Sequence, residues 1–239
     1  MMMKFLRLLR IFKSTLFLFI VLFFQQTINA KIIQTSSLIP IEFEIKNSNF
    51  ESVVLIEMED CLFSFEEEAL NINNAKLFYN YVKELEAKGI IQLKKNWIKN
   101  LNAKSGLILN EDQKRWVNIA CLIDNKELYV LFFARMGKVV PNWSVALKQH
   151  EISKKGDVVF YREAYELLKN LEKREYKKLI VVSANLKLLE FIEKQSIENK
   201  KQFIGFHYTY LKTKPKLDLN TIRLRVKKMF ESKNEKTNS

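Results

Sequence analysis

Three acidic residues directly follow an apolar stretch in the first third of the chain. Residues 53–56 read Val-Val-Leu-Ile, and Glu57, Glu59 and Asp60 come immediately after them. Carboxylates in such a cluster can act as a nucleophile, as a general acid or base, or as ligands of a hard cation such as Mg²⁺. The same residues are also typical of a solvated loop or of the first turn of a helix, so the pattern alone leaves the chemistry open.

A second polar segment occupies an equivalent position much later in the chain. Residues 179–182 are again continuously apolar, and Ser183 and Asn185 follow them. Ligands of open α/β sheets bind beyond the carboxyl ends of the strands, so we expect both polar segments to lie at that edge. A helix beginning after Ser183 would add backbone N–H groups for an anion. Ser183 could instead only cap that helix, in which case Ser183→Ala would cost about 1 kcal/mol.

Hydrophobic periodicity predicts the elements that must position these residues. Short apolar runs bounded by polar residues predict buried strands at 52–57, 178–182 and 203–211. Apolar residues spaced by three or four predict amphipathic helices at 77–88, 111–123, 165–175, 186–192 and 219–229. The run 128–134 fits a helix or a strand, and 31–43 is predicted to be irregular. Strands separated by helices indicate an α/β sheet covered on both sides.

Two of the helices have well-defined predicted apolar faces. The first face consists of Leu77, Tyr81 and Leu85, and that helix should stop at Lys88-Gly89. The second face consists of Trp116, Ile119, Ala120 and Ile123.

This order of features resembles the haloacid dehalogenase (HAD) superfamily of phosphatases, and within it an exported, acid-phosphatase-like bacterial group. The first motif of the superfamily is Asp-x-Asp-x-Thr, in which the first Asp attacks phosphorus, the second is the general acid and base, and Mg²⁺ binds against both. The present chain reads Glu57-Met58-Glu59-Asp60-Cys61 there. The resemblance therefore implies Glu57, Glu59 and Asp60 as catalytic candidates, with Glu57 and Glu59 as Mg²⁺ ligands if the protein is active.

The second and third motifs also have counterparts. The resemblance places Ser183 at the position that binds the phosphoryl oxygen, with Asn185 beside it. The lysine of the third motif corresponds to Lys214, which precedes a proline, and Lys212 and Lys216 are alternatives. Ser183, Asn185 and Lys214 are thus the implied phosphate-binding residues.

The resemblance implies a HAD-like Rossmannoid parallel sheet, shortened at its C-terminus. The core is expected at 31–62 and 157–239, with a helical cap inserted after the first strand at 63–156. The fourth motif, a strand ending in paired acids that completes the Mg²⁺ site, has no counterpart, because only Asp218 and a basic helix remain near the C-terminus.

Glutamate at both acidic positions of the first motif predicts a degenerate site. One extra methylene displaces the carboxylate by about 1.5 Å, and a misplacement of about 1 Å can lower a rate on the order of a hundredfold. We therefore predict a catalytically degenerate relic that needs no cofactor and binds an unknown protein or a phosphorylated small molecule. The alternative is a Mg²⁺-dependent phosphomonoesterase. A third hypothesis is a protein held at a membrane surface by its N-terminus and its basic C-terminal helix.

The N-terminus resembles a signal peptide covering residues 1–30. An apolar run at 16–24 follows four basic residues, Lys4, Arg7, Arg10 and Lys13. Cleavage after Ala30 would export a chain that begins at Lys31 to the periplasm or outside the cell. An uncleaved segment would be a membrane-surface anchor instead.

Charge and cysteine usage limit the partners. The formal net charge is +13, yet the lysines are spread along the chain and no nucleic-acid-binding module is recognisable, so we expect no specific nucleic acid and only weak membrane-surface association. Cys61 and Cys121 could form one disulfide in an oxidising compartment, although their spacing does not show proximity. His150 and His207 are predicted to be structural or surface residues.

Overall fold

A six-stranded parallel sheet is the centre of the fold. The structure is a computed structural model, and it describes residues 29–91, 107–134, 143–152, 158–160, 168–169, 171 and 174–231. The sheet strands are β1 (Ala30–Thr35), β2 (Ser52–Glu57), β5 (Tyr129–Ala134), β6 (Val158–Phe160), β7 (Lys178–Ser183) and β8 (Gln202–Tyr208). Their order is β1-β8-β7-β2-β5-β6, with every pairing parallel. The predicted α/β class is thereby confirmed.

A small antiparallel ribbon and several helices complete the described part of the chain. The ribbon joins β3 (Ser64–Phe65) to β4 (Leu107–Ile108). The helices are α1 (Ile39–Lys46), α2 (Ala75–Ala87), α3 (Trp116–Asn125), α4 (Trp143–Gln149), α5 (Leu186–Glu198) and α6 (Leu219–Glu231). None of these helices is long and apolar enough to cross a membrane.

Strand β2 occupies the middle of the sheet, and its burial follows from its composition. All six of its residues are buried, and it pairs with β7 on one side and with β5 on the other. Alternate residues point to opposite faces. Val54 and Ile56 pack in a core with α1 and α3, whereas Val53 and Leu55 pack in a core with α5. Apolar residues at consecutive positions are therefore needed, as predicted for a strand covered on both faces.

A third apolar cluster lies between α2 and α6. Phe78 and Val82 of α2 are buried together with Ile222 and Val226 of α6. The C-terminal helix therefore uses its apolar face for packing within the fold, and Asp218 caps it by accepting a hydrogen bond from the Thr221 N–H at 2.9 Å.

Several predicted elements are confirmed, with shifted ends or faces. Helix α2 ends at Ala87 and is followed by Gly89 in the left-handed region, at φ 68°, but its buried residues are Phe78 and Val82 rather than Leu77. Helix α3 buries all four predicted residues, but a 3₁₀ turn precedes it and it begins at Trp116. The strand predicted to reach residue 211 ends at Tyr208, because a second 3₁₀ turn begins at Tyr210.

Two expectations for the segments around β2 require correction. Residues 31–43 were expected to be irregular, but they contain most of the edge strand β1 and the start of α1. Residues 129–134 were expected within a helical cap, but they form β5, which pairs with β2 inside the sheet. The six-residue run Tyr-Val-Leu-Phe-Phe-Ala has no helical periodicity, and its pairing with the central strand β2 makes it a strand. That part of 63–156 belongs to the sheet, and the rest of the domain division stays a prediction.

Some predictions concern residues that lie outside the described ranges. Residues 1–28 of the predicted signal peptide are among them, as is most of the helix predicted at 165–175, of which only Leu168, Lys169 and Leu171 are described as helical.

Candidate functional site

The polar residues that end three neighbouring strands form a row at the carboxyl edge of the sheet. Ile56 of β2 pairs with Val182 of β7, so Glu57 and Ser183 occupy the next level of the sheet, which means the next pair of residues side by side on the two strands. Ser183 in turn pairs with His207 of β8. The side chains of one level project to the same face of a parallel sheet, so Glu57, Ser183 and His207 share the face that carries α5. The predicted convergence of Glu57 and Ser183 is therefore present.

Glu57 is held by hydrogen bonds that the sequence did not suggest. Its side chain is completely buried, and its Oε2 accepts hydrogen bonds from the Ser183 Oγ at 2.7 Å and from the Ala184 N–H at 2.9 Å. The Cys61 Sγ lies 3.9 Å from the same oxygen. A buried carboxylate requires such donors, because an unsolvated charge in the interior is otherwise highly unfavourable. Ser183 and Ala184 thus donate to an acceptor within the protein, the Oε2 of Glu57.

The remaining acids lie in a closed turn that is also buried. The Leu62 N–H donates to the Glu57 carbonyl at 3.2 Å, the Phe63 N–H donates to the Met58 carbonyl at 3.0 Å, and the Asp60 N–H donates to the Phe63 carbonyl at 2.9 Å. Asp60 has φ 64°, and its Oδ1 accepts from the Ile72 N–H at 3.3 Å.

Side chains next to α3 hold this turn in place. The carbonyl oxygen of Cys61 accepts hydrogen bonds from the Trp116 Nε1 at 3.0 Å and from the Gln113 Nε2 at 3.3 Å. Glu59 and Asp60 are only 2% and 7% exposed, so the predicted catalytic acids lie in a packed turn and not in an open loop.

Asn185 and Ser183 both make hydrogen bonds at the start of α5. The Asn185 Oδ1 accepts from the Leu188 N–H at 3.3 Å, so Asn185, and not Ser183, caps α5. The Ser183 Oγ accepts from the Asn185 N–H at 3.0 Å while it donates to Glu57. Ser183 therefore links the start of the helix to the central strand.

Among the lysines considered for the third motif, Lys212 is the one that reaches the row. Its Nζ lies 3.1 Å from the His207 Nε2 and 3.4 Å from the carbonyl oxygen of Ala184. The Nζ of Lys214 instead lies 4.6 Å from the centre of the Tyr210 ring. Lys214 is thus a cation–π partner of a tyrosine, and its predicted role in binding phosphate stays a prediction.

His207 is the member of the row that sequence reasoning missed. It is 7% exposed, and burial first and the positive charge of Lys212 second lower its pKa. A neutral imidazole can accept a hydrogen bond from the Lys212 ammonium group, which accounts for their short distance. The available signal was its position near the end of the third strand, at the same edge as Glu57 and Ser183.

Asp112 fixes the neighbouring part of this edge. Its Oδ2 accepts from the Leu38 N–H at 2.9 Å and from the Tyr208 hydroxyl at 2.7 Å. Burial and this hydrogen bond raise the pKa of Tyr208 well above its usual value. The β1–α1 connection, β8 and the segment before α3 are therefore joined through the one carboxylate of Asp112.

The described residues contain no assembled cluster of metal ligands. No group of three or more His, Cys, Asp or Glu residues within the described ranges could hold a metal ion. The Oε2 of Glu57 is already the acceptor of two short hydrogen bonds, whereas Mg²⁺ requires near-octahedral oxygen ligation with several waters. We therefore assign no reaction step to a metal.

Cys61 is buried in the turn, Cys121 is exposed on α3, and the two form no disulfide. The disulfide that the sequence left open is absent.

Comparisons with family models, with curated proteins and with solved structures gave no match for this chain.

Proposed function

We propose that this chain is an exported HAD-like protein in which the acidic loop stabilises the fold, and that it acts as a noncatalytic binding or interaction protein. One observation carries the proposal: the Glu57 carboxylate is completely buried and bonded to the Ser183 hydroxyl and the Ala184 N–H.

This contact opposes catalysis in two ways. A carboxylate nucleophile must approach the substrate, and a side chain with no exposed surface cannot do so without rearrangement of the turn. The hydroxyl and the N–H that would bind a phosphoryl oxygen also already donate to Glu57, so a phosphate would have to displace an internal anion. The energy of those hydrogen bonds contributes to folding rather than to substrate binding.

The enzyme alternative is a Mg²⁺-dependent phosphomonoesterase, and one feature favours it. The Lys212 ammonium group lies against His207 and the Ala184 carbonyl, next to Ser183, so cationic and hydroxyl groups converge at the edge where α/β enzymes bind ligands. In this alternative, Glu57 is the nucleophile or metal ligand, and Glu59 or Asp60 is the acid and base. Ser183 binds phosphate together with Lys214, the lysine predicted from the sequence, or with Lys212, which lies beside the Ala184 carbonyl.

Hydrolysis of a generic phosphomonoester by the purified chain, with and without Mg²⁺, distinguishes these proposals. Glu57→Gln removes the charge at constant size, and Glu86→Gln on the exposed surface of α2 is the matched control. We expect the same background rate in all three proteins. Mg²⁺-dependent turnover that is lost in Glu57→Gln and kept in Glu86→Gln would establish the enzyme and refute the noncatalytic proposal.

Export is part of this proposal and is supported by the N-terminal sequence. Ala30 is the first residue of β1, so cleavage after it would leave Lys31–Thr35 of the strand to pair with β8. Export would thus be compatible with the sheet.

A further inference from the structure

The amino ends of the sheet strands carry a polar groove, at the edge opposite the acidic turn. Residues of three segments line it: 47–49 and Glu51 before β2, 176–178 at the start of β7, and 200–202 at the start of β8. Its volume is about 430 Å³, which lies within the range of small-molecule sites. The described lining contains no aliphatic side chain, so the groove is suited to a polar ligand.

Lysines dominate the charge of this groove. Lys177, Lys178, Lys200 and Lys201 line it. Lys177 pairs with Glu51 at 2.6 Å, and Lys178 pairs with Glu44. Lys201 donates to the neutral carbonyl of Tyr176 at 2.7 Å, and no ion pair of Lys200 or Lys201 is present among the described residues. The four lysines, together with the two glutamates that pair with them, have a net charge of +2.

The groove is framed by hydrogen bonds that exist without a ligand. The Lys177 N–H donates to the Glu51 carbonyl at 2.9 Å, and the Gln202 N–H donates to the Lys177 carbonyl at 2.9 Å. Lys178 also donates to the Ser48 Oγ at 3.2 Å. The three segments are thus connected to one another, and the lysines project from a preformed frame. A ligand would not need to order the backbone, which favours affinity.

We propose that this groove binds a compact polyanion that carries two or more phosphate groups. Ammonium groups without an ion-pair partner act as point charges for phosphate oxygens. Lys201 is one of them, although its Nζ also lies 4.8 Å from the centre of the Tyr176 ring. An anion with several charges can interact with more of these lysines at once than a single phosphate can. A groove of about 430 Å³ has the size of a small-molecule site rather than of a channel for a long polymer. This site is separate from the Glu57 row, so it could exist whether or not that row is catalytic.

Isothermal titration calorimetry of the full-length chain with inorganic tripolyphosphate, at low and high salt and without divalent cations, tests the proposal. Lys200→Glu is the main variant because Lys200 makes no described side-chain hydrogen bond or ion pair on which folding depends. Lys83→Glu, on the exposed surface of α2, changes the net charge equally outside the groove. Lys212→Ala tests the carboxyl edge of the sheet.

We expect saturable binding that is tighter for tripolyphosphate than for monophosphate and that weakens with salt. Lys200→Glu should reduce the affinity by about tenfold or more, whereas Lys83→Glu should change it by less than about threefold. Absence of saturable binding at low salt would refute the proposal, as would equal losses in Lys200→Glu and Lys83→Glu. A loss of affinity in Lys212→Ala alone would show that the anion binds at the carboxyl edge of the sheet and would refute the proposal. If a single-stranded oligonucleotide binds more tightly than tripolyphosphate, with the same dependence on Lys200, the ligand of the groove is nucleic acid and the proposal of a small polyanion is refuted.

Discussion

Substitution of Ser183 by alanine tests the internal contact on which the interpretation of the acidic turn depends. The Ser183 hydroxyl donates to the buried Glu57 carboxylate at 2.7 Å and accepts from the Asn185 N–H at 3.0 Å. A hydrogen bond to a charged group contributes about 1.5–3 kcal/mol, and a neutral one about 0.5–1.5 kcal/mol. The free energy of unfolding should therefore fall by about 2–4 kcal/mol, and not by the 1 kcal/mol or so expected for a helix cap.

Urea unfolding followed by circular dichroism measures this loss. With a slope of about 2 kcal/mol/M, the midpoint should fall by about 1 M or more. Ser196→Ala is the matched control, because Ser196 is also buried, at 3% exposure against 0% for Ser183, but its Oγ has no hydrogen-bond partner among the described residues. Removing an unsatisfied buried hydroxyl should change stability by less than about 0.5 kcal/mol or increase it.

A double-mutant cycle then assigns the loss to Glu57. In the Glu57→Gln background the partner of Ser183 is neutral, so Ser183→Ala should have a smaller effect than in the wild type. Equal effects in both backgrounds, or a Ser183→Ala variant as stable as Ser196→Ala, would refute the conclusion that Ser183 holds the carboxylate.

Two further substitutions test the sheet and the carboxyl edge. Val54→Asp places an unpaired charge at a fully buried position of β2 and should lower stability by several kcal/mol, so a retained cooperative thermal transition would contradict the central position of the strand. Burial and Lys212 lower the pKa of His207 below the ordinary value of about 6.5, so the unfolded chain binds the proton more readily and stability should fall as the pH decreases below about 7. His207→Gln should reduce this slope in melts between pH 7.5 and 5 relative to His150→Gln, and equal slopes would refute the assignment.

Local sequence patterns predicted the strands that are buried on both faces and the helices whose apolar residues recur at helical spacing. Strand β2 has consecutive apolar residues because both of its faces are covered, and α3 repeats its apolar residues at helical spacing, so both were identified from the sequence. Strand β1 was missed because it lies at the edge of the sheet and its residues are only partly buried. The run at 129–134 remained ambiguous because six apolar residues fit either state until a partner strand is known.

The sequence by itself determined the α/β class and the placement of Glu57 and Ser183 at the ends of two buried strands, because hydrophobic periodicity and chain order are local properties. Only the tertiary structure decided that these two residues bind each other, because they are 126 positions apart and their contact depends on the pairing of β2 with β7. The same holds for His207 and Lys212 at this edge and for the lysine groove at the other, which three distant segments form. A pattern of residue types specifies which groups are polar, whereas strand register and burial specify which of them remain available to a ligand.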